Sequence, residues 1–253
     1  MEKDGLAEKR IRELASRADA RGIVTFTDFL NLNEQNIFFD TIQKFSFVKG
    51  ETFGGYEGAE RRIAAVIPRD TQDCMSEIPW PVQCIRIVPR SPKFAEKLSH
   101  RDFLGALMHL GFERSILGDI AVADEEAFLF CVSRFSELIC SELTLVRHTQ
   151  VKCMVCDMSG FAWTPPTETL RGSIASVRLD AVMALGFGAS RSSLLSLIEG
   201  GSVFVNGKLV TSNAYALKEG DIVSARGLGR FRYIGTGGQT RKGRTFAEVE
   251  RYV

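Results

Sequence analysis

Between Ser176 and Gly207 the apolar positions change period, and the change predicts two short helices running into a hairpin. Leu179, Val182, Met183 and Leu185 recur at helical spacing after Arg178 and Asp180, and Gly186 and Gly188 break the pattern. Ser190 fits the N-cap of a second stripe made of Leu194, Leu195, Leu197 and Ile198, which Gly200-Gly201 ends. Val203 and Val205 then alternate into Asn206-Gly207, a pair suited to a two-residue hairpin turn. A return strand at Leu209-Val210, a turn and strand over 217–226, and further strands around Arg230–Tyr233 complete this C-terminal unit.

Upstream, residues 5–20 read as an amphipathic helix with Leu6, Ile11 and Leu14 inward. Asn33 can cap a second helix whose Ile37, Phe38, Ile42 and Phe45 share a face, and Ile63–Ile67 reads as a strand. From Val82 the pattern becomes regular. Strand 82–88, helix 99–110 capped by Ser99, strands 119–123 and 127–132, helix 133–143 and strand 150–156 follow one another. That β-α-β-β-α-β order is the split βαβ arrangement of ferredoxin-like and RNA-recognition-motif (RRM-like) domains. The aromatic signature that stacks bases on such a sheet is not matched, so base stacking is not expected there. Residues 157–173, with Pro165-Pro166, read as an interdomain linker. The expectation is an α+β chain with an N-terminal helical region (1–80), an RRM-like middle domain (81–160) and a C-terminal domain (174–253).

With 253 residues the chain is long enough for two or three cores. No apolar run approaches the ~20 residues a membrane-spanning helix needs, and the N-terminus lacks the apolar core of a signal peptide. Cysteines 74, 84, 131, 140, 153 and 156 lie in apolar patterns, which suits thiols packed as small hydrophobes in a reducing cytoplasm. The net charge of +1 is uninformative, but its distribution is not. Residues 171–253 carry 12 Lys and Arg against 6 Asp and Glu, leaving 20 against 25 in the remainder. A basic C-terminal part on an acidic body suits a polyanionic partner at that end.

Few residues look catalytic. His100-Arg101-Asp102 lacks the rest of a kinase catalytic loop, and Asp102 suits a helix N-terminus. Cys153 and Cys156 form a lone C-x-x-C on a strand, where positions three apart point to opposite faces, so no metal site is expected. Neither a catalytic residue nor a cofactor is assigned. One loop stands out. Phe53-Gly54-Gly55-Tyr56-Glu57-Gly58 followed by Arg61-Arg62 combines glycines, which let a backbone approach a ligand, with two guanidinium groups suited to phosphate. Gly54, Gly55, Tyr56, Arg61 and Arg62 are therefore candidates for a second RNA contact, against the plainer reading of a tight turn feeding a strand.

The C-terminal unit resembles an S4 (αL-type) RNA-binding domain. The match rests on R-L-D at 178–180, S-R-S at 190–192, I-x-x-G at 198–201, V-x-V-N-G-K at 203–208 and G-D-x-V at 220–223. F-G-G-Y-E-G-A-E-R-R at 53–62, H-R-D-F-L-G-A-L at 100–107, G-D-I-A-V at 118–122 and the ending G-R-F-R-Y…R-K-G-R extend it to the YlmH family of bacterial S4-domain proteins. The resemblance implies a cytoplasmic, monomeric, non-enzymatic factor that binds rRNA and tRNA on the large ribosomal subunit. It also implies a part in ribosome-associated quality control of stalled peptidyl-tRNA, alongside other rescue factors. In a smaller S4 protein of that pathway the matching arginines carry the RNA contacts, which assigns that role to Arg178 and Arg191. Ser190, Ser192, Lys208, Arg230, Arg241, Lys242 and Arg244 complete the expected RNA-binding set. Two alternatives stay open: an S4-anchored RNA-modifying enzyme (a pseudouridine synthase, with Asp180 of R-L-D as the tempting nucleophile, or a methyltransferase), and an adaptor linked to cell division.

Overall fold

The computed structural model describes residues 2–70, 78–124, 126–239 and 243–252. The chain divides into two compact units, Met1–Thr164 and Pro165–Val253.

The first unit begins with helix α1 (Glu2–Arg21), strand β1 (Thr25–Leu30), helix α2 (Leu32–Ile42) and strands β2 (Val48–Phe53) and β3 (Arg62–Pro68). These strands form an antiparallel sheet ordered β1-β3-β2. The cap of α2 is Asn31, not Asn33. Asn31 stands three residues before Glu34, so each side chain bonds the other's backbone N–H, at 3.0 and 2.7 Å. Central strand β3 reads R-I-A-A-V-I-P without alternation because both its faces are covered. Ala64 and Val66 pack with Ile11, Leu14, Phe38 and Ile42 of the two helices, while Ile63 joins the core beyond.

That core belongs to strands β4 (Val82–Pro89), β5 (Leu117–Val122), β6 (Ala127–Val132), β7 (Leu145–Val146) and β8 (Thr149–Cys156), with helices α3 (His100–His109) and α4 (Ser136–Glu142). The sheet order β5-β6-β4-β8-β7, antiparallel throughout, is that of a ferredoxin-like domain extended by the β7–β8 hairpin. Ser99 and Asp102 form the capping box of α3. Phe29, Tyr56, Ala59 and Ile63 sit in the same buried cluster as Ile85, Leu107 and Phe130. Packing is thus continuous across residue 80.

The second unit has strand β9 (Thr167–Ile174), helices α5 (Leu179–Phe187) and α6 (Arg191–Glu199), and strands β10 (Val203–Val205), β11 (Lys208–Leu209), β12 (Ile222–Ala225), β13 (Gly229–Gln239) and β14 (Thr245–Tyr252). Its sheet runs β11-β10-β12-β13-β14-β9. Much of the stretch read as a linker is therefore an edge strand, with all eight residues of β9 in register on β14. Its polar sequence T-E-T-L-R-G-S-I hides it, because an edge strand with one solvated face needs few apolar residues. Nine-residue helices are marginal alone, and burial of Leu179, Val182, Met183, Leu194 and Ile198 holds α5 and α6 in place. Gly186 does not break α5. A Cβ there would lie 2.5 Å from the Phe231 ring, so the glycine lets the helix settle on β13. Gly188, in the left-handed conformation at φ 63°, ends it.

Candidate nucleic-acid interface

Arg178 is the N-cap of α5. The start of that helix is pinned from outside, since Leu179 N–H donates to the Tyr215 carbonyl (2.9 Å) and Asp180 N–H to that of Asn213 (3.3 Å). The Asp180 side chain is buried and accepts from Arg178 Nε at 3.2 Å, while the Arg178 side chain is 44% exposed. Asp180 thus holds Arg178 in one direction and leaves its remaining donors to solvent. One carboxylate occupied in this way is a positioning group.

Ser190 caps α6, accepting from Ser193 N–H at 3.3 Å and sharing a hydroxyl contact with Ser192 at 3.1 Å. Arg191 and Ser192 are exposed on the first turn, where orphan N–H groups and the helix dipole favour an anion. Arg178 and Arg191 stand at opposite ends of α5, one as its N-cap and one just past Gly188.

Lys208 is exposed beside the hairpin turn. Asn206 and Gly207 both take positive φ (49° and 76°) as that turn requires. Asn206 Nδ2 donates to buried Asp221 (2.8 Å), Ile222 N–H donates to Asn206 Oδ1 (2.9 Å), and Lys218 N–H donates to Asp221 (2.8 Å). The N-G and G-D motifs thus form one lock that fixes the hairpin carrying Lys208.

Two further expected residues, Arg230 and Arg244, lie along the sheet. Arg230 lies over the Tyr252 ring at 4.3 Å, and Arg244 donates to the Ser173 carbonyl at 2.6 Å, tying β14 to β9. Arg241 and Lys242 lie outside the described residues.

The Gly-Gly-Tyr loop requires a correction. Tyr56 is only 6% exposed, and its hydroxyl donates to Asp119 Oδ2 at 2.9 Å. The same carboxylate accepts Glu60 N–H (2.7 Å) and Arg61 N–H (3.1 Å). Arg61 donates to the carbonyls of Leu117, Phe29 and Arg114, and Arg114 in turn to those of Leu117 and Gly118. Burial lowers the pKa of both guanidiniums, Arg114 to about 10 with the Arg61 charge adding to the effect. Gly54 and Gly55 are buried, and a Cβ on Gly55 would lie 2.2 Å from the Phe130 ring. Arg62 Nε donates to the Ala59 carbonyl at 2.7 Å. These residues latch the N-terminal sheet to the ferredoxin-like domain, with Gly54, Gly55 and Tyr56 buried in the latch and Arg62 half-buried at its edge. Asp119 is the residue missed; its signal was a lone acid in the otherwise apolar run G-D-I-A-V.

The same loop covers Phe130 on the sheet face on which an RRM stacks bases. Phe103 of α3 lines a cavity with Ile87, Val122 and Val151, which marks that side of the sheet as the one α3 covers. Phe128 and Phe130 on β6 point the other way, but Phe130 is fully buried, with Tyr56 and Phe161 at 5.0 and 5.1 Å. On β8, Cys153 pairs with Ile87 and Cys156 with Cys84 on the opposite face, so the C-x-x-C thiols diverge. Cys153 donates to the Leu143 carbonyl.

The comparisons with known proteins fit this layout. Residues 81–160 match the family model described as "Putative RNA-binding domain in YlmH", and residues 177–223 match the S4 domain. The chain is 30% identical over 235 residues to ribosome-associated protein quality control protein P2 of Bacillus subtilis (strain 168), covering 89% of this chain and 86% of that one. The chain belongs to the YlmH family of S4-domain proteins. A shorter likeness, 37% over 89 residues, is to small ribosomal subunit protein uS4A of Clostridium novyi (strain NT), of which it covers 39%. Among solved structures, the cell division protein ylmH of Streptococcus pneumoniae shares the fold at a TM-score of 0.51 and 21% identity, over 62% of this chain and 93% of that one.

Proposed function

We propose that this protein is a non-enzymatic, cytoplasmic factor that binds rRNA and tRNA on the large ribosomal subunit during rescue of stalled peptidyl-tRNA. The observation that carries the reading is the S4 unit with Arg178 and Arg191 exposed at the starts of α5 and α6. The P2 relative's name, a ribosome-associated quality control protein, supplies the process. Arginine offers phosphate a planar bidentate fork and can also stack on a base. Ser192 and Lys208 extend the contact and Arg230 and Arg244 flank it from the sheet, with Arg241 and Lys242 added from the sequence alone. The burial of Asp180 against Arg178 weighs against the pseudouridine synthase alternative, because a nucleophile needs access to the base.

Tagged protein crosslinked in cells, purified on ribosomes and sequenced for bound RNA tests this reading. It predicts large-subunit rRNA together with tRNA. Enrichment of small-subunit rRNA alone, or of no RNA, contradicts it. A modification missing from the rRNA or tRNA of a deletion strain would favour the enzyme.

A further inference from the structure

Phe94 is 81% exposed, the most open of the large apolar side chains in the described residues. Its exposure is built by the backbone. It ends a 3-10 turn, Pro92–Phe94, that Pro92 opens, with Phe94 N–H bonded to the Ser91 carbonyl and Ala95 N–H to that of Pro92, both at 3.1 Å. Glu96 N–H then bonds Thr149 Oγ1 at 3.1 Å, tying the loop to β8. A ring held out on a fixed turn contributes nothing to the core, so its use lies with something that arrives from solvent.

Its surroundings indicate what arrives. Residues 90–101 carry four Lys or Arg and one acid, Glu96, within a stretch (1–170) that is otherwise acidic. Lys93, Lys97 and Arg101 are exposed, and Lys93 Nζ stands 5.7 Å from the Phe94 ring centre. Arg147 in the β7–β8 turn joins them, reaching Glu96 at 3.5 Å and Asp102 at 3.6 Å while 54% exposed. Those long, solvated pairs are weak enough to yield to a phosphate. Cations around an exposed aromatic form the pattern that takes unpaired nucleotides, the ring stacking on a base while the cations follow the backbone. An apolar protein partner would gain little from so much surrounding charge.

We propose that the loop of residues 91–99, with Arg101 and Arg147, is a second RNA-contact surface. Phe94 stacks on an unpaired base there, and Lys93, Lys97 and Arg147 hold the adjoining phosphates. This rests on the RNA-binding reading of the S4 unit and extends it to the ferredoxin-like domain.

The test uses the full chain and purified ribosomes, with affinity measured against salt. Phe94→Ala weakens binding about tenfold without moving the melting temperature, and Phe94→Trp retains it. The Lys93→Gln/Lys97→Gln variant flattens the slope of log affinity against log salt by about 0.7–0.9 for each phosphate lost. A photoreactive phenylalanine analogue at position 94 crosslinks to rRNA or tRNA. Wild-type affinity in Phe94→Ala, or crosslinks to ribosomal protein alone, overturns the proposal. Arg178→Ala/Arg191→Ala run in parallel separates the two readings. If it alone loses binding, this surface falls and the S4 assignment stands; if only the loop variants lose binding, the reverse holds.

Discussion

Asp119→Ala removes the acceptor shared by the Tyr56 hydroxyl, Glu60 N–H and Arg61 N–H. Three partly buried donors lose their partner at once, and Arg61 and Arg114 lose a compensating charge. An unsatisfied buried donor costs about 1–3 kcal/mol. Water can reach part of this site, so we take the low end for each and expect a loss of about 3–5 kcal/mol. For a unit of this size 1 kcal/mol moves the melting temperature by about 2–4 °C, which gives a drop of roughly 6–20 °C. Tyr56→Phe deletes one of the three bonds, leaves Asp119 its two backbone donors, and costs about 1 kcal/mol. Calorimetry of the full chain reads both variants. The account predicts Asp119→Ala well below Tyr56→Phe, with the transition of the S4 unit unmoved and ribosome binding below the transition intact. Melting of Asp119→Ala within a degree or two of wild type would refute the latch. A selective loss of RNA binding at unchanged stability would return the loop to RNA.

Further predictions follow from the same packing. Gly55→Ala combines φ of +103° with a Cβ 2.2 Å from Phe130, so the variant loses several kcal/mol, about 3 or more, and accumulates as insoluble protein; soluble expression with a wild-type melt would contradict the placement. Burial raises the Cys131 and Cys153 thiols to about 12. At pH 8 their thiolate fraction is therefore on the order of a thousandfold below that of a free cysteine, so iodoacetamide labels them only after unfolding, as peptide mass spectrometry would show.

The parts legible in the sequence are those with strong local period. The α5–α6–hairpin pattern and the split βαβ order were readable because their apolar residues face one side of a core. Strands β1, β2 and β9 were not, because V-K-G-E-T-F and T-E-T-L-R-G-S-I sit at sheet edges where alternation is weak. The packing of the Gly-Gly-Tyr loop is not legible locally, since the carboxylate that holds Tyr56 lies 63 residues away and no local pattern joins them. Arg61 and Arg62 look alike in sequence, yet Arg61 is committed to three carbonyls of distant segments. Arg178 and Asp180 were the opposite case: two residues apart at a helix start, their pairing was readable from spacing.

The central claim is that the S4 unit grips ribosomal RNA through arginines at its helix starts. The most direct measurement is affinity of Arg178→Ala/Arg191→Ala for purified large subunits across a salt series, beside wild type and with melting temperature as control. The account predicts an unchanged melt, weaker binding and a slope of log affinity against log salt flatter by about 1.4–1.8, two phosphate contacts' worth. Wild-type affinity and slope in a folded double variant would contradict it.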